Sequence, residues 1–391
     1  MRSVVTRHEE EEVLQNDGNS EVIAFNVEHN AIMNAINLCS KVAPSSGAIP
    51  ILQCIKFEIS GNTLFVTAMD TEQSLLQIVL IDNYGGNDGS YLFPVKEGID
   101  LVKKLPHGNL EFKKSGSKVY ISYGERGSAN LKVLSSEEYP SLPELDLSEV
   151  MTIPIDVLRK GAFAKTFSST AEDSPALSGI YIHNNGGNLG FVSTDRHRIY
   201  RYITNVPIEN QETFNDCIVP AIKFKMIVDA LRSEQVDMII TRNYLVLRER
   251  DTVYFCRLID AGYPDLSNIF KGMNKGTSVR LSRGELDDTL NRAISLEASN
   301  KRVTFEIDEA KGVLVLHAES DNSEILEELT VANIDGGFPT VKFNGKFLRE
   351  ALLIGDREIK HVNLRVSGSQ LPGFMTMEGD PSITFVINPC V

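Results

Sequence analysis

The tetrapeptide Tyr139-Pro140-Ser141-Leu142 returns as Tyr263-Pro264-Asp265-Leu266, 124 residues further along a chain of 391. That period leaves room for one module written three times behind a short head. A repeat constrains a fold more tightly than any single motif, because every copy must build the same kind of core. Other landmarks keep the same order. Each copy reads as a helix, a loop, strands that end on an acidic residue, a second short helix, and further strands. The first-helix windows are 28–41, 156–167 and 283–297; Ile32, Ile36 and Cys39, and Leu286, Leu290 and Ile294, recur at close to helical spacing. Strands then lead to Thr67-Ala68-Met69-Asp70, Ser193-Thr194-Asp195 and Ala318-Glu319-Ser320-Asp321. The second helices follow Phe93-Pro94, Val219-Pro220 and Phe343-Asn344, where a proline is tolerated because its missing N–H is not needed at a helix start.

The expected architecture is α+β: three repeated domains, each an antiparallel strand layer covered by two helices, since a sheet with one polar face needs a partner layer on the other. Residues 1–20 read as an acidic, disordered extension, followed by domains at 21–148, 149–274 and 275–391. Residues 51–59 and 63–68 read as a hairpin around Ser60-Gly61-Asn62, and Asn184-Asn185-Gly186-Gly187-Asn188 as a strong turn. Residues 83–90 read as a flexible loop. Neither a GxGxxG nor a GxxxxGK[ST] pattern is present, which removes the doubly wound nucleotide-binding reading.

Hydrophobic residues make up 42% of the chain and charged residues 24%, the balance of an ordinary globular protein. No run reaches the roughly 20 apolar residues of a membrane span. The five cysteines lack CxxC spacing, so buried thiols in a reducing compartment are expected rather than metal ligands. A net charge of −14 excludes a protein that coats nucleic acid with its whole surface. Across the six helix windows, however, the balance is +4. Lys41, Lys103, Lys104, Lys165, Lys223, Lys225, Arg232, Arg292, Lys346 and Arg349 are the candidate cations for a local basic face; the bland reading is solvated helix surface.

The densest polar cluster is Thr194-Asp195-Arg196-His197-Arg198. Asp195 orienting His197 as a base is one reading, but the sequence fixes neither a nucleophile nor a second acid, and HExxH and GxSxG are absent. Binding and plain structure remain the competing readings. The two YPxL segments read first as packing that closes a domain junction, with Pro restricting its predecessor to extended geometry. The second has the further reading of an apolar edge that accepts a peptide anchor. The apolar end from Phe385 to Val391 either closes a sheet or completes a groove.

Ile49-Pro50-Ile51-Leu52, Leu177-Ser178-Gly179, Thr194 to Ile199 and Leu258 to Asp265, in this order and spacing, resemble the bacterial DNA polymerase III beta sliding clamp family, over about residues 21–391. The resemblance implies a head-to-tail homodimer forming a six-domain ring around double-stranded DNA, helices inside and sheets outside. It implies an accessory factor that tethers the replicative DNA polymerase and is loaded by an ATP-dependent clamp loader, with no active site, cofactor or metal of its own. The setting implied is the bacterial cytoplasm or nucleoid, or an infected cell for a virus-encoded clamp. The family's peptide groove, which also serves repair proteins, carries over onto Leu177, Thr194, His197, Arg198, Ile199, Pro264, Ile269, Val386 and Ile387. The dimer contact carries over onto Ala129 and Leu131 of one subunit facing Ser295 and Leu296 of the other. Three departures stand out: Arg196 where the family has a small glycine, Asn268 where an arginine is common, and Ile387-Asn388-Pro389-Cys390 in place of a Met-Pro-Met-Arg-rich tail. The rival reading is a monomeric three-module protein-binding scaffold that encloses no DNA.

Overall fold

A computed structural model describes residues 22–144, 150–171, 174–295, 301–308, 310–335, 337–354 and 358–390. The acidic head therefore lies outside the described residues. The first repeat holds β1 (Ile23–Glu28), β2 (Cys54–Ser60), β3 (Thr63–Met69), β4 (Gln73–Leu80), β5 (Gly89–Pro94), β6 (Asn109–Ser115), β7 (Lys118–Tyr123) and β8 (Gly127–Lys132). The second holds β9 (Val150–Pro154), β10 (Gly179–Asn185), β11 (Asn188–Thr194), β12 (Arg198–Pro207), β13 (Cys217–Pro220), β14 (Gln235–Ile240), β15 (Tyr244–Glu249) and β16 (Thr252–Arg257). The third holds β17 (Thr277–Ser282), β18 (Arg302–Asp308), β19 (Val313–Ser320), β20 (Ser323–Asp335), β21 (Val341–Asn344), β22 (His361–Val366), β23 (Gly373–Met377) and β24 (Asp380–Ile387).

The pairing repeats every eight strands. The orders β1-β6-β7-β8, β9-β14-β15-β16 and β17-β22-β23-β24 are one motif, and β5-β2-β3-β4, β13-β10-β11-β12 and β21-β18-β19-β20 are the other. Two antiparallel pairings splice one repeat to the next: β4 with β16, in the register Tyr254↔Leu75, and β12 with β24, in the register Ile199↔Val386. The helices repeat too: α1 (His29–Cys39) and α2 (Val95–Val102), α3 (Ile155–Ala162) and α4 (Ala221–Val228), then, after the single-turn α5 (Ser267–Phe270), α6 (Arg283–Ser295) and α7 (Gly345–Leu352). None of these helices is long and apolar enough to cross a membrane.

Packing groups the chain into two compact units, one running to Thr152 and including Gln235–Arg257, the other comprising Ile153–Glu234 and Leu258–Val391. In the first, α1 buries Ile32, Ile36 and Cys39 as its periodicity predicts. Phe57 stacks on Phe93 at 4.9 Å, and Phe25 on Phe112 at 5.2 Å. The hydroxyl of Tyr139, from the first YPxL segment, donates within reach of the carbonyls of Cys54 (3.3 Å) and Thr67 (3.4 Å). Leu142 packs on Ile239, Val246 and Phe255, so this segment seals the flank of the β4–β16 splice. In the second unit Phe167, Tyr200 and Phe385 form an aromatic knot with centroids 5.5–5.7 Å apart, bridging β12 and β24.

Several local expectations are corrected. Residues 50–53 form a 3-10 turn, so the strand expected over 51–59 starts only at Cys54; Pro50 lacks the N–H that an earlier ladder bond would need. Part of the loop expected at 83–90 is the start of β5, held against β2 in the register Ile59↔Gly89. The buried stripe of α6 is Leu286, Thr289, Leu290 and Ala293, with Ile294 only half-buried. A 3.6-residue turn carries a strict four-residue spacing off the core face. The turn at Gly186-Gly187 forms as expected: both have positive φ, +62° and +95°, as a two-residue hairpin with both central residues left-handed requires.

Candidate partner-binding site

The second YPxL segment crosses the second unit's twelve-stranded sheet at the β12–β24 splice. Along one row of that face, Ile199 of β12 faces Val386 of β24, which faces Phe374 of β23. All three are buried with Val192, beneath Tyr263, Leu266, Ile269, Phe270 and Met273. Tyr263 stacks on Tyr181 at 4.8 Å, and the Tyr181 hydroxyl donates to Asp216 at 2.6 Å. Of the residues expected to line a groove, Ile199, Val386 and Ile269 thus meet in one cluster. Val386 and Ile387 are 1% exposed, which makes them floor rather than rim. Pro264 and His197 are exposed and Ile269 is half-buried. Leu177 is buried in its own 3-10 turn, its carbonyl accepting from Ser169 N at 2.7 Å, and stands outside that cluster.

The Thr194–Arg198 turn is built by its own side chains. Thr194 Oγ1 donates to the Arg198 carbonyl (2.7 Å) and accepts from Arg196 N (3.1 Å). Asp195 Oδ1 accepts from His197 N (3.1 Å) and Arg198 N (3.0 Å), and its Oδ2 from Arg198 Nε (2.9 Å). Among the described residues, Asp195 makes no bond to the His197 ring, so the acid–base reading has no geometry behind it. Arg198 also pairs with Glu350 and donates to the Thr166 carbonyl (2.8 Å). Its guanidinium lies 4.8 Å from the Phe167 ring centroid and 4.3 Å from that of Phe347. With its side chain 9% exposed, Arg198 serves the interior: it knits β12, α7 and the 3-10 turn at Phe163–Phe167.

Arg196 explains one departure in physical terms. Its φ is +75°, a left-handed conformation that glycine adopts without strain and a side chain resists. The Arg196 guanidinium contacts the Ser174 hydroxyl, and its carbonyl accepts from Asn388 Nδ2 at 3.0 Å. Arg196→Gly is expected to stabilise the chain by about 0.5–1 kcal/mol if the lost strain outweighs glycine's extra unfolded-state freedom. The urea midpoint of the two proteins, at unchanged slope, measures it; a lower midpoint in the glycine variant would show that the Ser174 contact outweighs the strain.

Sequence reasoning missed Phe374, Phe270 and Arg201. Arg201 is a half-buried cation 3.8 Å from the centroid of Phe270, with Nη2 at 3.5 Å from both Met273 Sδ and Thr384 Oγ1; burial lowers its pKa. Its signal was present in the alternation of Ile199, Arg201 and Ile203, which places it on the same face as Ile199.

The candidate DNA cations divide by partner. Lys225 pairs with Asp229 (2.7 Å), Lys346 with Glu350 (3.6 Å), Arg349 with Asp287 (2.9 Å), and Arg292 with Glu327 (2.6 Å). Arg292 holds Glu327 through both oxygens, and that bond keeps the Glu327 carboxyl below its ordinary pKa. Lys41, Lys103 and Lys104 are exposed just past the ends of α1 and α2, where positive charge also complements the helix dipole. Lys165 and Lys223 are half-buried and Arg232 is exposed.

Among the described residues, two of the six strands that close a four-strand motif lack the partner the others have. β8 ends its sheet, with Ala129 and Leu131 half-buried and alternating with exposed Ser128, Asn130 and Lys132. β20 pairs with β19 along Ser323–Thr330 but reaches β17 only from Val331 onward. The outer side of Ser323–Thr330 is therefore open among the described residues, and Leu326 there is 65% exposed. Ser295 is exposed at the end of α6, and Leu296 lies outside the described residues.

Comparison with known proteins matches the first two repeats to one family. Residues 23–143 match the family model "DNA polymerase III beta subunit, N-terminal domain", and residues 152–265 match "DNA polymerase III beta subunit, central domain". A beta sliding clamp from Bacillus subtilis is 24% identical over 382 residues, covering 93% of this chain and 98% of that one. One from Lactococcus lactis is 25% identical over 344 residues, covering 85% and 90%. Among solved structures, the DNA polymerase sliding clamp of Bacillus subtilis matches with a TM-score of 0.87 at 22% identity, covering 94% of this chain and 99% of that one. The beta subunit of Streptococcus pyogenes DNA polymerase matches at 0.86 and 21%, covering 94% and 100%.

Proposed function

This chain belongs to the DNA polymerase III beta subunit family, and from that premise we propose that it is a polymerase processivity factor: a sliding clamp that closes around duplex DNA as a head-to-tail homodimer. The observation that carries the dimer is that two motif-closing strands, β8 and β20, lack the pairing the other four make. Within the chain, the last strand of one four-strand motif always finds the last strand of the other, β4 with β16 and β12 with β24. By the same rule β20 should meet β8, and these are the two that have no such partner among the described residues. Two copies joined β20 to β8 satisfy both edges by two-fold symmetry, whereas an open edge is a standing aggregation hazard. Sedimentation at micromolar concentration should give twice the 43.3 kDa chain mass; a monomer would favour the scaffold reading.

In that ring the exposed lysines beside α1 and α2 contact phosphates without reading bases, as sliding demands. The surrounding acidic surface discourages DNA from binding elsewhere. Polymerase, the ATP-dependent loader and repair proteins dock by short segments at the β12–β24 splice, against Ile269, Pro264 and His197 over the Ile199–Val386 floor, with Leu177 and the Thr194–Arg198 turn as its border. The working compartment on this reading is the bacterial cytoplasm or nucleoid, or an infected cell for a virus-encoded clamp. For docking, Ile269→Ala is the informative variant, because Ile387 is 1% exposed and its truncation would disturb the sheet itself. A polymerase C-terminal peptide should bind the Ile269→Ala dimer at least tenfold more weakly, of the order of a lost apolar anchor; unchanged affinity would move the groove elsewhere.

A further inference from the structure

Beside the apolar cluster, on the same sheet face, lies a cavity of about 400 Å³ whose polar lining is Asn274, Ser278, Arg280, Asn363, Arg365 and Thr376. Met273 and Phe374 belong to both the cavity wall and the cluster, so the two are continuous. The row Ile199–Val386–Phe374 extends through Arg365 of β22 to Ser278 of β17. A neighbouring row runs Arg201–Thr384–Thr376–Asn363–Arg280. The face therefore passes within a few strands from apolar to cationic.

The lining contains two guanidinium groups and no carboxylate. Arg280 is neutralised: Nε and Nη2 grip Glu378 at 2.8 and 2.9 Å, and Nη2 also meets His361 Nδ1 at 3.0 Å. Arg365 is not. Its one hydrogen bond is from Nη1 to the Gly276 carbonyl at 3.1 Å, and among the described residues it has no acidic partner. The side chains of Asn274, Ser278, Asn363 and Thr376 are likewise without hydrogen-bond partners among the described residues, and all four can donate. A half-buried guanidinium ringed by uncommitted donors is a receptor for a carboxylate, which it can hold bidentately.

We propose that this cavity receives an acidic side chain of the docking segment, placed about three residues from the segment's apolar anchor. The assignment rests on the groove reading above. Phe374 and Arg365 are neighbours across one ladder, two to three strand spacings from Ile199, or roughly 10–14 Å. Extended peptide spans that in three to four residues. An acidic peptide is favoured over a nucleic-acid phosphate because the pocket is continuous with an apolar cluster that nucleic acid has no use for.

The test uses the full-length protein and fluorescent decapeptides carrying a Leu-Phe pair, with Glu or Gln at the third or fourth position before or after it. One of the Glu peptides should bind about fivefold to tenfold more tightly than its Gln twin, the usual margin of a charge-assisted bond. Arg365→Gln should remove that preference while leaving the Gln peptide's affinity unchanged, and Arg365→Lys should keep part of it. Equal affinity for every Glu and Gln twin, with Ile269→Ala still weakening both, would overturn the pocket but leave the groove. Failure of all peptides to bind would overturn both. Loss of the Glu preference on adding a short DNA duplex, together with Arg365-dependent duplex binding, would assign the pocket to phosphate and overturn the peptide reading.

Discussion

Aspartate at Leu131 or at Leu326 is expected to turn the dimer into monomers. Leu131 is half-buried on the edge strand β8, and Leu326, 65% exposed, lies on the stretch of β20 that has no outer neighbour among the described residues. In the free chain either substitution leaves the core alone, so folding should persist. In the proposed ring each position would be covered by the other copy's strand, and a carboxylate there would be desolvated without a partner. Two joints per ring count every substitution twice. At about 2 kcal/mol for each uncompensated polar group, a total near 4 kcal/mol weakens dimerisation roughly a thousandfold. Sedimentation equilibrium across the micromolar range checks it, with Leu371→Asp as control, since Leu371 is 52% exposed on the turn between β22 and β23, away from either edge. Variants that stay dimeric would show that the β8 and β20 edges do not form the joint.

The other large effect concerns Arg198. Truncation to alanine takes the guanidinium from between Asp195 and Glu350, whose side chains are 16% and 23% exposed. It leaves Asp195 its two backbone donors and Glu350 only Lys346 at 3.6 Å, and the Thr166 carbonyl and two aromatic faces without their cation. Breaking a fully buried pair costs about 3–5 kcal/mol; the partial exposure of both carboxylates and their remaining partners put this loss at about 2–3 kcal/mol. The urea midpoint of Arg198→Ala should fall accordingly, and Arg198→Lys should recover little, because one ammonium cannot reproduce the three-way fork. The Thr194–Arg198 turn keeps its bonds to the backbone of residue 198 and loses only the one from Arg198 Nε to Asp195, so peptide docking should weaken less than stability does. A midpoint within experimental error of the parent would mean that Arg198 is a surface contact after all.

The repeat was legible because it is written locally. Helical spacing at Ile32, Ile36 and Cys39, the Gly186-Gly187 turn and both YPxL segments can be read within a dozen residues. The YPxL packing reading also describes what Tyr139 and Leu142 do. Strands of four to six residues such as β5, β13 and β21 were missed because each ends in proline or asparagine just before a helix, where strand and helix signals overlap. The site was legible only in part. Ile199, Val386 and Ile269 came from family resemblance, but the burial of Val386 and Ile387 and the inward commitment of Arg198 depend on pairing β12 with β24, some 180 residues apart. No window of sequence contains that pairing. The same holds for the open edges: β8 and the first half of β20 are recognisable as unpaired only once every other strand has been placed. Arg196 is the opposite case, a residue whose sequence oddity became intelligible from one backbone angle.

Retention on DNA tests the central claim most directly. The exposed lysines beside α1 and α2 can supply only weak, salt-sensitive attraction, because each phosphate contact is driven by counterion release. A closed ring needs none of them to stay on. Loaded onto nicked circular duplex with its loader and ATP, the protein should survive a high-salt wash, and it should run off at once when the same circle is cut at a single site. Equal loss from circles and from linear molecules under that wash would contradict encirclement and leave a scaffold that binds proteins without enclosing DNA.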